Sequence, residues 1–146
     1  MKRQTKFYIM LIIFGLWILF LTICFTYAGA EELEQPTLIK GFATAYNGPS
    51  DHTCTGDKVR PGICGGCRDY IGKTIILYHR MPDDSVGPLI GIYECLDTGT
   101  GTKGFQEGRV IDVWQESKEA CQEFMNLIYE DGCKGKVYIQ VIESEG

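Results

Sequence analysis

The chain has 146 residues, the length of one domain, with 14 basic against 19 acidic side chains. All the acids lie from Glu31 onward, whereas Lys2, Arg3 and Lys6 precede that point; so acidic a body gains nothing from phosphate counterion release, which argues against a nucleic-acid partner. With 18 glycines and seven cysteines a long-helix bundle is disfavoured, and no glycine-rich nucleotide loop of the G-x-x-x-x-G-K-[ST] kind is present.

Residues 7–30 contain no charge, and residues 7–21 are apolar throughout. Two readings fit residues 1–30. A signal peptide needs a basic start, an apolar region and small residues before the cut, and Ala28-Gly29-Ala30 supplies them. A membrane anchor needs roughly 20 apolar residues, and 7–27 is long enough. Both place the basic end inside and residues 31–146 on the outer side of the cytoplasmic membrane, either secreted or held there by residues 7–27. Residues 31–37 read as a polar linker and 38–146 as the exported domain.

Within that domain, residues 38–46 are rich in β-formers and predict a strand. Residues 47–66 form a long polar stretch with many glycines, expected as a loop that is functional or stapled. Further strands are expected over 73–79, 89–96, 109–114 and 136–142, with a turn over 81–88 and a glycine-rich loop over 97–108. Residues 117–129 place Ala120, Cys121, Phe124, Leu127 and Ile128 at helical spacing, with Ser117 as the cap. Five or six strands, one short helix and long glycine loops predict a mostly β fold, a small closed barrel without exposed edges.

Cys24 lies in the apolar segment. The remaining six, Cys54, Cys64, Cys67, Cys95, Cys121 and Cys133, are an even set in an exported domain and read as three disulfides of open pairing, with Cys121 and Cys133 a candidate pair flanking the helix end. A zinc knuckle at Cys64-Gly-Gly-Cys67 would need a second such pair or two nearby histidines; only His52 and His79 exist, so no metal and no cofactor is expected.

Most of the acids suit a solvated helix face or a turn. Three stand apart: Asp69 before a strand, Asp97 in Asp97-Thr98-Gly99, and Asp112 between Ile111 and Val113. A carboxylate flanked by two β-branched apolar residues either points outward or occupies a special pocket. Burial and a neighbouring carboxylate both raise its pKa, and a raised carboxyl can serve as a general acid.

On these residues the segment 42–142 resembles the three-aspartate (3D) domain of bacterial cell-wall enzymes, which includes the catalytic barrel of the membrane-bound lytic transglycosylase A type and small secreted Gram-positive relatives. The resemblance rests on Ala43-Thr44-Ala45-Tyr46, on Thr53-Cys54-Thr55-Gly56, on Asp69 before its strand, and above all on the ordered set Asp97-Thr98-Gly99, Lys103-Gly104 and Ile111-Asp112-Val113-Trp114. Tyr70 stands where the family usually has proline, and the six cysteines and the insert 56–66 lie outside the family's core pattern. The resemblance implies a six-stranded double-psi β-barrel. It also implies cleavage of the MurNAc–GlcNAc β-1,4 bond of peptidoglycan with a 1,6-anhydro product. Asp112 would then be the acid/base, with Asp97 and Asp69 positioning substrate or tuning Asp112. Thr44, Tyr46, Thr98, Gly99 and Lys103 would contact the glycan, with Trp114 a further contact. The expected partner is the peptidoglycan glycan strand, met by a monomer that touches membrane only through its N-terminal segment.

A non-catalytic carbohydrate-binding barrel of the expansin or barwin kind accounts for barrel, cysteines and acids alike. An aspartic protease also uses D-T-G but pairs two such loops, and one occurs here. A disulfide-rich inhibitor or surface module leaves the ordered Asp97 and Asp112 set unexplained.

Overall fold

A computed structural model of the chain describes residues 15–18, 36–48, 51–99 and 101–143. The chain divides into two compact units, residues 1–35 and 36–146. The signal-or-anchor segment falls outside the described residues except for 15–18, which are helical. Among the described residues no helix is long and apolar enough to cross a membrane.

The second unit is mostly β. Six strands, β1 (Leu38–Tyr46), β2 (Ile63–Gly66), β3 (Thr74–Arg80), β4 (Val86–Thr98), β5 (Val110–Trp114) and β6 (Lys136–Ile142), are joined by a four-residue helix α1 (Lys103–Gln106) and a twelve-residue helix α2 (Lys118–Tyr129). Pairing runs β1-β5-β2-β4-β3-β6 and returns from β6 to β1, so the sheet closes on itself. The ring is irregular. β1–β5 and β2–β4 are parallel and the other four pairs antiparallel, with register shifts in β2–β4 and β3–β4.

Alternation along the strands decides what goes inside. In β1, Gly41 and Ala43 are buried while Phe42 is exposed; in β5, Ile111 and Val113 are buried while Asp112 and Trp114 are half-buried. Ala43, Ile75, Leu77, Ile111, Val113, Val137 and Ile139 meet in one core together with Cys64 and Cys95. Helix α2 adds Phe124 and Ile128, four residues apart on one face. Leu127, expected on that face, is 39% exposed. Ser117 caps the helix as expected, its hydroxyl accepting from the Ala120 N–H at 3.0 Å. Ser117→Ala leaves that N–H without its partner and is expected to cost about 1 kcal/mol, read as a small fall in melting temperature with no change in the sheet's circular dichroism.

The expected disulfide staple is corrected. Cys54, Cys64, Cys67, Cys95, Cys121 and Cys133 are all free thiols, so the backbone ring and the apolar core hold the domain together. The candidate pair Cys121 and Cys133 is not joined either: both are free thiols, and the Cys133 sulfur faces that of Met81 at 4.0 Å. Two further differences concern strands. The expected turn over 81–88 is shorter, because β4 already begins at Val86, where it pairs with Arg80. The expected loop 47–66 contains β2, and the expected loop 97–108 contains α1.

Candidate functional site

The site is built from one row of register partners across four adjacent strands. Thr44 on β1 stands opposite Asp112 on β5. Asp112 stands opposite Gly65 on β2, and Gly65 stands opposite Asp97 on β4. Neighbouring strands lie about 4.8 Å apart, so Asp112 and Asp97 flank the width of one strand, and the residue between them has no side chain to fill it. Ile63–Gly66, the end of the stretch expected as a loop, is the strand that spaces the two acids.

Asp112 lies on the face opposite the buried Ile111 and Val113, and it is nevertheless half-buried. The Thr44 hydroxyl donates to its Oδ1 at 2.7 Å, and Oδ2 carries no hydrogen bond among the described residues. Burial first, and then the negative charge of Asp97, push the Asp112 carboxyl above the ordinary aspartate range, while the Thr44 hydrogen bond pulls the other way. Burial and a second carboxylate are the two influences that keep a proton on an acid.

Asp97 is held differently. Its Oδ1 accepts from the backbone N–H groups of Cys54, at 3.1 Å, and Thr98, at 2.9 Å; its Oδ2 accepts from the Tyr46 hydroxyl at 3.2 Å. Tyr46 belongs to β1, three strands from β4 in the pairing order. In a flat sheet that separation is about 14 Å, beyond a tyrosine's reach, so the contact exists only because the sheet is strongly curled. Burial, then the charge and hydrogen bond of Asp97, with Asp112 adding to them, raise the Tyr46 phenol far above its usual range. Tyr46 is therefore a neutral donor facing both carboxyls. The loop 51–57 is pinned to the end of β4 by the Cys54 N–H and by the Thr55 hydroxyl, which donates to the Leu96 carbonyl at 3.2 Å.

The remaining expected residues spread outward from this row. Thr98 contributes its backbone N–H, and Gly99 donates to the Gly66 carbonyl at 3.0 Å while the Phe105 ring lies against its Cα. Asp69, on a single 3-10 turn at Arg68–Tyr70, is exposed and lines a cleft of about 360 Å³ with Thr98, Gly99, Arg68 and Gln106; neither Asp97 nor Asp112 lines that cleft. Trp114 is the register partner of Tyr46. It lines a second cleft of about 260 Å³ with Tyr93 and Glu116, and its ring N–H is buried without a hydrogen-bond partner. The Lys103 side chain is 83% exposed and reaches Glu107, the residue that follows α1, at 3.6 Å. The structure thus brings together Thr44, Tyr46, Asp97 and Asp112, joins Thr98 and Gly99 to their border, and leaves Asp69 and Lys103 outside. Gly65 and the Cys54 N–H went unread in the sequence. Only the Gly65-Gly66 doublet between two cysteines hinted at a strand that must stay bare.

Among the described residues no group of three or more His, Cys, Asp or Glu side chains is placed to hold a metal ion. The arrangement can hold one proton on a carboxyl, keep a second carboxylate beside it, and present a hydroxyl on either side. Compared with known proteins, the chain matches no family model and no curated sequence.

Proposed function

We propose that the domain is a lytic transglycosylase of the bacterial cell wall, acting outside the cytoplasmic membrane as a monomer on peptidoglycan glycan strands. The observation that carries this reading is the pair of unequal carboxyls: Asp112, half-buried and raised, one bare strand away from Asp97. The closed six-strand ring with two parallel pairs supports reading the fold as a double-psi barrel of the 3D kind.

In this mechanism Asp112 begins protonated. Its Oδ2 gives the proton to the leaving glycosidic oxygen, and the same carboxylate then takes the proton of the sugar's own 6-hydroxyl, which closes the 1,6-anhydro ring. No water enters. An ordinary glycosidase uses two carboxyls in opposed roles, whereas here one group gives and regains the proton. Thr44 orients Asp112, and Asp97 sustains its raised pKa and positions the sugar together with Tyr46.

The test is digestion of purified peptidoglycan followed by mass analysis of the released fragments. Muropeptides with 1,6-anhydro ends are expected; ordinary reducing ends, or no release, overturn the proposal. Asp97→Asn gives a finer check. Removing that negative charge relaxes Asp112 toward its ordinary pKa, so the high-pH limit of activity is expected to move to lower pH, with a smaller loss of rate than at Asp112. A pH profile of the same shape and position as wild type would remove the tuning role.

A second reading, a binding barrel that holds glycan without cutting it, is favoured by one feature. Tyr46 and Trp114 are paired on the outer face beside the acids, where aromatic rings can stack on sugars. It predicts retention of glycan with no anhydro product.

A further inference from the structure

Of the six described cysteines, two are set against each other by the sheet. Cys64 on β2 and Cys95 on β4 are direct register partners on adjacent parallel strands, and both are 0% exposed, so both side chains enter the same interior. Strand spacing puts their Cα atoms about 4.8 Å apart, inside the range of about 4.4–6.8 Å that a disulfide accepts. The Cys95 thiol itself donates to the Asp97 carbonyl at 3.7 Å, within its own strand. The other thiols point elsewhere: Cys54 donates to the Leu96 carbonyl at 3.6 Å, and Cys133 meets the Met81 sulfur at 4.0 Å. Cys67 is the nearest competitor, since it lies one residue beyond Gly66, over which the Cys95 sulfur sits.

We propose that Cys64 and Cys95 are an oxidisable pair that closes to a single disulfide by exchange with a small-molecule disulfide, tying β2 to β4 beside Gly65. The Cys95 thiolate attacks one sulfur of the small disulfide and its S–S bond breaks, releasing one thiolate and leaving a mixed disulfide on Cys95. Cys64 then gives up its proton and attacks the Cys95 sulfur; the second small thiolate leaves. Two protein thiols are oxidised by two electrons, the small disulfide is reduced to two thiols, and the protons end on those thiols. The nearness of the two thiols favours this order, because it lowers the Cys95 pKa and, with burial, raises that of Cys64. Both sulfurs are buried, so exchange takes place on the opening or still-folding chain.

The consequence is local. Cys64 precedes Gly65, the residue that spaces Asp112 from Asp97, so the bond fixes the strand on which that spacing depends. The pairing is a property of the sheet and holds whether or not the proposed activity does.

The test uses the full chain, reduced and unfolded in denaturant, then refolded in a mixture of reduced and oxidised glutathione. Remaining thiols are alkylated and the protein is digested with trypsin. Residues 59–68 are expected joined to residues 81–103, with fragmentation placing the bond at Cys64 and the alkyl group at Cys67. Melting supplies a readout that needs no variant: adding a reductant to the refolded protein is expected to lower its midpoint by about 10 °C or more. Cys95 found alkylated, Cys95 found joined to Cys67, or the same midpoint in both redox states overturns the proposal.

Discussion

Asp112→Asn is expected to abolish most turnover, lowering kcat about 10²-fold or more, and to raise the melting temperature above the pH at which Asp112 ionises in the folded protein. The first effect follows from chemistry. The amide keeps the shape of the carboxyl and still accepts from Thr44, but it has no acidic proton to give. The second follows from the direction of the pKa shift. Burial and Asp97 raise the folded-state pKa of Asp112 above its unfolded value. Its stabilising contribution is then complete below about pH 3.9, the ordinary aspartate value, and is lost as pH rises through the folded pKa. Above that folded pKa the wild type carries a half-buried charge that the asparagine variant lacks. The melting curves of the two proteins should converge in acid and separate as pH rises through the folded pKa of Asp112, with the variant above. Wild-type activity should decline over the same rise in pH, since the donor must start protonated. An asparagine variant that melts lower than wild type across the whole pH range and still releases anhydro sugars would return Asp112 to a purely structural role.

Gly41→Ala should be the most damaging single change to the fold outside the core side chains. A Cβ at this position would stand 2.4 Å from the Arg109 carbonyl oxygen and 2.5 Å from Ile139 Cδ1. The side chain can shift, but the carbonyl cannot, because it accepts from the Phe42 N–H at 2.8 Å and so begins the β1–β5 pairing. Forcing the strands apart is expected to cost about 3 kcal/mol, a fall in melting of roughly 10–20 °C. The row of acids reports the same damage, since Thr44 meets Asp112 three residues further along that pairing. Thermal denaturation checks the stability and the KM-against-kcat split checks the site. An alanine variant with wild-type melting would mean that β1 and β5 do not approach this closely.

The parts of the molecule with a repeating physical signal were readable in the sequence. Residues 38–46 and 136–142 are rich in β-formers, and their bounds coincide with β1 and β6. The helix over 117–129 announced itself by its cap and by Phe124 and Ile128. Asp112 was legible because a carboxylate between Ile111 and Val113 conflicts with its strand unless it turns to the other face, which it does. β2 was not legible. Ile63-Cys64-Gly65-Gly66 has half its residues without a side chain, and glycine carries neither β-propensity nor alternation. That strand owes its existence to its two neighbours: it is buried along its whole length between β4 and β5. The distance between Asp97 and Asp112 depends on it, so the motifs named the acids without revealing their spacing. The cysteines misled for a related reason. Their even number says nothing of direction, and only the register of β2 on β4 sets one pair of thiols face to face.

The return of β6 to β1 also sets a clock. β1 takes its two partners from the far end of the chain, β5 and β6, so nothing the ribosome or a translocation channel has released before residue 110 can complete its pairing. Thr44 and Tyr46 emerge early and wait for Asp112, and the last seam is sewn only by the seven residues of Lys136–Ile142. Such long-range closure is slow compared with local helix formation. A partly made chain consequently lacks the closed ring. For a protein proposed to cut the wall that surrounds its own cell, late assembly would be a form of latency: Thr44 has no Asp112 to meet until β5 has been made.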